Sequence, residues 1–222
     1  PRNDELASGI SREEASRIKK SLGIAEQKTV ILYAPTYREY QKDANRNVVS
    51  RPPIDFAKWE ETLGEQYVLL FRAHYEVSKS LNIRPDKFLI DVSNYPHLND
   101  LMLISDLLIS DYSSIFFDFS ILERPMVCFA YDYDIYSHLR GLYFDIRKEL
   151  GDEHIKTEDD LLHAVVTLDV EGRTAKARQF RQKYVEKYGS ATNEAVDLIY
   201  KGLQERRLCD NHDRKWSAIT HC

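Results

Sequence analysis

The stretch Ile104-Ser105-Asp106-Leu107-Leu108-Ile109-Ser110-Asp111-Tyr112-Ser113-Ser114-Ile115-Phe116-Phe117-Asp118-Phe119 joins an apolar strand to a helix through a turn of hydroxyls and a carboxylate. Leu107 to Ile109 reads as the strand, and Asp111, Ser113 and Ser114 fall in the turn, with Ser113 or Ser114 as the helix cap. Such a junction aims free backbone N–H groups and hydroxyls at one spot beyond the carboxyl end of a strand. That is where open α/β sheets receive phosphate. The turn contains neither the Lys nor the Gly of a P-loop, so dipoles and hydroxyls would meet the anion here.

Outward from this turn, the same alternation recurs. Thr29 to Ala34, Tyr67 to Phe71, Phe88 to Ile90 and Met126 to Phe129 are continuous apolar runs, as in strands buried on both faces. Between them, helices are expected from Ser11 to near Gly23, from Asp55 to Leu63 and from Leu98 to Ser105. Residues 41–53 are polar and read as an exposed loop, Tyr131 to Asp134 as an exit loop, and Thr157 to about Arg207 as two or three helices. Strands alternating with helices imply an α/β fold with a Rossmann-like parallel sheet and right-handed crossovers. The polar segments carrying Arg38, His74, Asp111 and Asp132 each follow a strand, so they gather on one edge of the sheet, the default place for a binding site.

The 222 residues, with 43% apolar and 30% charged residues, are ordinary for a globular protein of one large domain or two small ones. A net charge of −5 argues against general nucleic-acid binding. No apolar run approaches the roughly 20 residues that span a bilayer, and no signal peptide is evident. Three widely spaced cysteines make no disulfide framework and fit a reducing cytosol, and Cys128 reads as an inert strand residue. Pro1-Arg2-Asn3-Asp4 does not read as a translation start, so a piece of a longer protein is expected, with a domain over residues 1–208 and a disordered tail over 209–222. The tail residues Cys209, His212, His221 and Cys222 are zinc-type ligands at a spacing that matches no common finger.

Several blocks, taken together, resemble one family. They are Pro1-Arg2-Asn3-Asp4, Leu32-Tyr33-Ala34-Pro35-Thr36-Tyr37-Arg38, Arg72-Ala73-His74-Tyr75, the Ser105 to Ser114 block with Phe117-Asp118-Phe119, Arg124-Pro125, Tyr131-Asp132, and Arg140-Gly141-Leu142-Tyr143-Phe144-Asp145. In them the chain is similar to the C-terminal, donor-binding half of CDP-glycerol glycerophosphotransferases, the teichoic acid polymerases and primases. The resemblance implies half of a GT-B architecture, in which two Rossmann-like halves face each other across a cleft. It implies CDP-glycerol as donor, a glycerol-phosphate polymer of wall or capsule as acceptor, no cofactor and no bound metal, and a place at the cytoplasmic face of the membrane through regions outside this chain. It also implies an N-terminal half of the same protein that supplies acceptor contacts and a catalytic His. The Pro-Gly-Pro of the family is replaced by Gly151-Asp152-Glu153-His154, so one loop is expected to differ in shape.

The implied reaction is attack of a polymer-end hydroxyl on the β-phosphorus of CDP-glycerol, with CMP leaving. Phosphoryl transfer depends on positioning and charge neutralisation, so a metal-free diphosphate calls for cations, hydroxyls and helix starts. Ser113 and Ser114 are candidates for the phosphate oxygens; either also reads as a plain N-cap. His74, as an imidazolium, is the candidate to stabilise or protonate the leaving CMP, unless it is an ordinary hydrogen-bonded His. Arg38, Arg72 and Arg140 are candidates for bidentate phosphate contact; the plainer role for Arg38 and Arg72 is a salt bridge to Asp111 or Asp118. Asp111 and Asp118 are assigned to orientation, Asp118 toward glycerol or His74. Tyr33, Tyr37 and Tyr112 could stack on cytosine but more often pack, and backbone near Pro35 or Ser93-Asn94-Tyr95 could read the base edge. Two rivals remain: a CDP-ribitol or other nucleotide-sugar transferase on the same scaffold, and a nucleotide-binding module inactive without the N-terminal half.

Overall fold

The computed structural model describes residues 3–38, 40, 52–73 and 87–204. His74, most of the 41–53 loop and the Cys/His tail lie outside them.

All strand pairs are parallel: β1 (Thr29–Tyr33), β2 (Tyr67–Phe71), β3 (Leu89–Asp91), β4 (Leu107–Ser110) and β5 (Met126–Cys128) form a sheet in the order β3-β2-β1-β4-β5. This is the Rossmann-like α/β fold that the strand–helix alternation implies. The order reverses between β1 and β4, so the chain leaves these two neighbours toward opposite flanks and a crevice opens beyond their carboxyl ends.

Side chains alternate along each strand, which divides the apolar runs into two cores. Val30, Leu32, Leu70, Leu108 and Cys128 point to one face. They meet α4 (Leu98–Ile104), α5 (Ile115–Ser120) and α9 (Val170–Tyr184) through Leu101, Phe116, Phe119 and Phe180. Ile31, Tyr33, Leu69, Phe71, Ile109 and Val127 point to the other, against Trp59 and Leu63 of α3 (Phe56–Leu63) and Leu161 and Val165 of α8 (Glu158–Val166). The remaining helices are α1 (Asp4–Ser8), α2 (Arg12–Ser21), α6 (Tyr133–Arg140) and α7 (Ile146–Leu150), and residues 191–204 are helical as well. Ser11 opens α2 with a reciprocal capping box to Glu14.

The expected exit loop Tyr131 to Asp134 is shorter in the structure. Asp132 occupies the cap position and α6 begins at Tyr133. Tyr136 is the buried residue of this helix, while Ile135 and Leu139 stay exposed, so no apolar face marks it in the sequence.

The altered Gly151-Asp152 block has a structural use. Gly151 ends α7 in the left-handed region (φ 72°), which a residue without Cβ adopts without strain. Asp152 then turns fully inward. β5 is an edge strand whose Leu108- and Ser110-facing groups pair with β4, leaving the Cys128 N–H and Met126 carbonyl facing outward. Asp152 accepts from that N–H at 2.8 Å, and Arg173 of α9 donates to the Met126 carbonyl at 3.3 Å while pairing with Asp152. The side-chain pair thus supplies the hydrogen bonds that a further strand would have made.

Candidate functional site

At the switch point, β1 and β4 are sewn together just as they part. Ala34 N–H donates to the Ile109 carbonyl at 2.9 Å, and Ser110 Oγ donates to the Ala34 carbonyl at 2.6 Å. One step further out, Thr36 N–H donates to Asp111 Oδ1 at 2.9 Å. Asp111 also accepts from the N–H of Tyr112 at 2.6 Å. The Asp111-Tyr112-Ser113-Ser114 turn is therefore fixed to the exit loop of β1.

For Arg38 the structure displays the plainer of the two roles that the sequence left open. Its side chain is 1% exposed. Nη1 donates to Asp111 Oδ2 at 2.6 Å and also to the Thr36 carbonyl. Nε and Nη2 grip the two oxygens of Asp132 at 3.0 and 2.9 Å, a bidentate pair. The rings of Tyr112, Tyr131 and Tyr136 surround the guanidinium at 5.1, 5.1 and 5.6 Å. In this geometry Arg38 and Asp111 face each other and the protein, not open solvent. The plain salt-bridge role is the one the structure displays, with Asp132 as the second carboxylate in place of Asp118.

Charge is uneven in this cluster, with one guanidinium and two carboxylates, and hydroxyls make up the difference. Tyr40 and Tyr112 donate to Asp132 at 2.7 and 3.0 Å. Burial pushes both phenols above their ordinary range, and the neighbouring Asp132 adds to it, so both stay protonated and remain donors. Burial alone would raise the Asp132 carboxyl; Arg38 and the two hydroxyls more than offset this and hold it below the ordinary value. Burial likewise opposes the charge on Arg38, yet Asp111 and Asp132 keep its pKa above the ordinary arginine value.

Ser113 and Ser114 divide the expected work. Ser113 Oγ accepts from the Ile115 N–H at 3.2 Å, a local cap-like bond. Ser114 holds the cap position of α5, is exposed, and makes no side-chain capping bond. Both line two cavities that meet at the turn. One, of about 310 Å³, is also lined by Pro35, Tyr37, Arg72 and Asp118. The other, of about 160 Å³, is lined by Asp111, Phe117, Cys128, Tyr133, Phe144 and Arg147 among others.

Arg72 is half-buried and donates to the carbonyls of Val92 and Tyr95 at 2.9 and 2.8 Å, so it also holds the segment that includes Ser93 and Asn94. Its burial pulls its pKa down. Ser93 Oγ in turn accepts from the Ala73 N–H at 3.1 Å. Asp118 is buried and lines the larger cavity. Arg140 is exposed at the end of α6, hydrogen-bonded to Tyr136, and lines neither cavity. Tyr33 is a core residue packed on Phe71, and Tyr112 stacks on Tyr136 at 3.7 Å between ring centres; both are engaged in packing.

Sequence alone does not single out Arg147, and it places Asp132 on this edge as a strand-exit residue without a role in the site. Asp132, 94 positions from Arg38, is brought to it by the sheet. Arg147 lines the smaller cavity, pairs with Asp145 through two bonds of 3.0 and 2.8 Å, and lies over the ring of Tyr133. An available signal for Arg147 was the Asp145 cap two residues before it, which accepts from the Arg147 N–H.

The family described as CDP-glycerol:poly(glycerophosphate) glycerophosphotransferase matches residues 1–201. The chain is 40% identical over 167 residues to a teichoic acid poly(glycerol phosphate) polymerase of Bacillus subtilis, covering 74% of this chain and 22% of that protein. It is 36% identical over 210 residues to a teichoic acid glycerol-phosphate transferase of Staphylococcus aureus, covering 90% of this chain and 53% of that one. A solved structure of the wall teichoic acid polymerase TagF superposes with a TM-score of 0.82 at 36% identity, over 93% of this chain and 52% of that one. The same polymerase has also been solved after soaking with CDPG, at a TM-score of 0.76 to this chain. The chain therefore spans about half or less of these relatives. With its sequence matched from end to end of the sheet and its fold shared at this level, the chain belongs to the CDP-glycerol:poly(glycerophosphate) glycerophosphotransferase family.

Proposed function

We propose that this chain is the donor-holding C-terminal half of a GT-B-type glycerophosphotransferase. It binds CDP-glycerol, and the complete protein transfers glycerol phosphate to the hydroxyl end of a poly(glycerol phosphate) or related wall or capsule polymer, releasing CMP at the cytoplasmic face of the membrane. The observation that carries this reading is the meeting of two cavities at Ser113 and Ser114, at the switch point of a parallel sheet, in a chain of this family.

The diphosphate would lie against the Ser113–Ser114 turn, with Ser114 Oγ and the backbone N–H groups as donors. Arg72 stands in the wall of one cavity and Arg147 in the wall of the other, so a guanidinium is within the site on either side of the turn. Asp118, in the lining of the larger cavity, would accept from a glycerol hydroxyl rather than approach phosphate, where like charge repels. Arg140 is assigned by the resemblance alone and would contact the donor's outer phosphate only by extending from α6. His74 is assigned likewise to the leaving CMP, as the acid that stabilises or protonates it.

The test is calorimetric titration of the 222-residue chain with CDP-glycerol, CDP-ribitol and a UDP-sugar. Selective binding of CDP-glycerol supports the proposal. Preference for CDP-ribitol or a UDP-sugar would move the chain to the rival donor class. Transfer of radiolabelled glycerol phosphate by this chain alone, without an N-terminal half, would contradict the requirement for two halves.

A further inference from the structure

We propose that Arg38, through Asp111 and Asp132, is a positioning residue that holds the Ser113–Ser114 turn in its donor-binding shape without touching the donor. This deepens, and rests on, the donor-site reading above.

Three strand exits converge on this one guanidinium. Its own loop follows β1, Asp111 follows β4, and Asp132 follows β5. Asp111 is the residue from which the serine turn departs, and its carboxylate is bonded at once to Arg38, to Thr36 N–H and to Tyr112 N–H. These bonds fix the backbone direction two residues before Ser113. On the far side, Asp132 is held by Arg38 and by the hydroxyls of Tyr40 and Tyr112. Tyr112 thus serves the clamp twice, through its amide to Asp111 and its hydroxyl to Asp132.

The cluster is expensive to build for fold alone. Charged groups taken out of water are repaid only when geometry and hydrogen bonding are complete, and an apolar plug would close the sheet edge as well. What an apolar plug lacks is direction: a planar fork with both ends satisfied fixes the angle between the loops that carry its partners. Lysine keeps the charge, but its three donors radiate from one nitrogen instead of a planar fork, so it cannot reproduce the bidentate grip on Asp132 while holding Asp111.

The experiment is a double-mutant cycle on the full chain, read by CDP affinity at low temperature and by amide hydrogen exchange. Arg38→Lys is expected to weaken CDP binding at least tenfold. In a Ser113→Ala/Ser114→Ala background the same change should weaken it by less than threefold, because the hydroxyls it positions are gone and only the backbone amides remain. Exchange of the Ile115 amide should quicken while amides of β1 and β4 keep their protection. Should Arg38→Lys fail to fold, Asp132→Asn takes its place in the cycle, since it removes one charge and keeps the shape. Equal affinity of Arg38→Lys and wild type, or full additivity with the serine changes, overturns the proposal. If the wild type does not bind CDP, the donor-site reading falls; an unchanged Ile115 exchange rate in Arg38→Lys then overturns the positioning role independently.

Discussion

Ser110 Oγ donates to the carbonyl of Ala34 at 2.6 Å, and both residues sit at the last point where β1 and β4 lie side by side. Ser110 is fully buried. Removing its hydroxyl strands a carbonyl oxygen at the root of both exit loops. Ser110→Ala should cost about 1–3 kcal/mol, the usual range for a buried acceptor left without its donor. Urea unfolding measures this directly; no change in the midpoint would mean that the bond contributes nothing at this position.

The two serines of the turn should separate by stability. Ser113 Oγ accepts the Ile115 N–H, so Ser113→Ala should lower stability by about 0.5–1 kcal/mol. Ser114, exposed and without a capping bond, should tolerate Ala within about 0.5 kcal/mol. Both changes should weaken CDP binding, Ser114→Ala more cleanly because its fold is untouched. A Ser114→Ala variant that binds CDP as tightly as wild type would leave the turn with a structural role only.

At the edge of the sheet, Asp152 and Arg173 act as a unit. Asp152→Ala leaves the Arg173 charge and the Cys128 N–H without their partner, and should cost about 3–5 kcal/mol. Replacing both, as Asp152→Leu with Arg173→Met, removes the stranded charge but still leaves the Cys128 amide and the Met126 carbonyl without their partners, and should cost about 1–3 kcal/mol. Thermal or urea unfolding of the pair distinguishes these values. A double variant worse than Asp152→Ala would contradict the assignment of the penalty to the unpaired arginine.

Acid should weaken the fold through the Arg38 cluster. The Asp132 carboxyl is lowered in the folded protein: burial opposes this, and Arg38 with the two tyrosine hydroxyls outweighs it. A carboxyl lowered on folding stabilises above its unfolded pKa and gives up that stability as pH falls through its folded value. Asp145, lowered chiefly by its bond from Arg147, acts in the same direction. Unfolding free energy should therefore be flat near neutrality and decline below about pH 4, the ordinary aspartate range. Asp132→Asn should be less stable at neutral pH and show a shallower acid decline. An acid limb as steep as that of wild type would remove Asp132 from the explanation.

Much of the sheet was legible because strands covered on both faces must be apolar at every position. Val30-Ile31-Leu32 and Leu107-Leu108-Ile109 therefore announce themselves without any periodicity. The serine turn was legible because capping chemistry is local. The helices α6 and α7 were not, since Tyr133 to Leu150 mixes aromatic, acidic and basic residues and only packing reveals which face is inward. The fate of Arg38 was half legible. A salt bridge to Asp111 is its plainer role in the sequence and Asp132 falls on the same edge, but the pairing of Arg38 with Asp132 follows only from the position of β5 beside β4. Both partners are distant in sequence, 73 and 94 positions from Arg38, and spacing alone does not rank them. Arg147 stayed unnoticed for the same reason: its cavity is made by α5, β5 and α7 together.

On the proposed reading, an anionic nucleotide donor is held where β1 and β4 part, against the Ser113–Ser114 turn. Backbone amide shifts on titration of the isotope-labelled chain with CDP-glycerol test it most directly. The largest changes are expected at Ser113, Ser114 and Ile115, with secondary ones at Arg72 and Arg147. Changes centred instead on the opposite edge of the sheet, around Arg124 and Val170, or none near the turn at saturation, would contradict it.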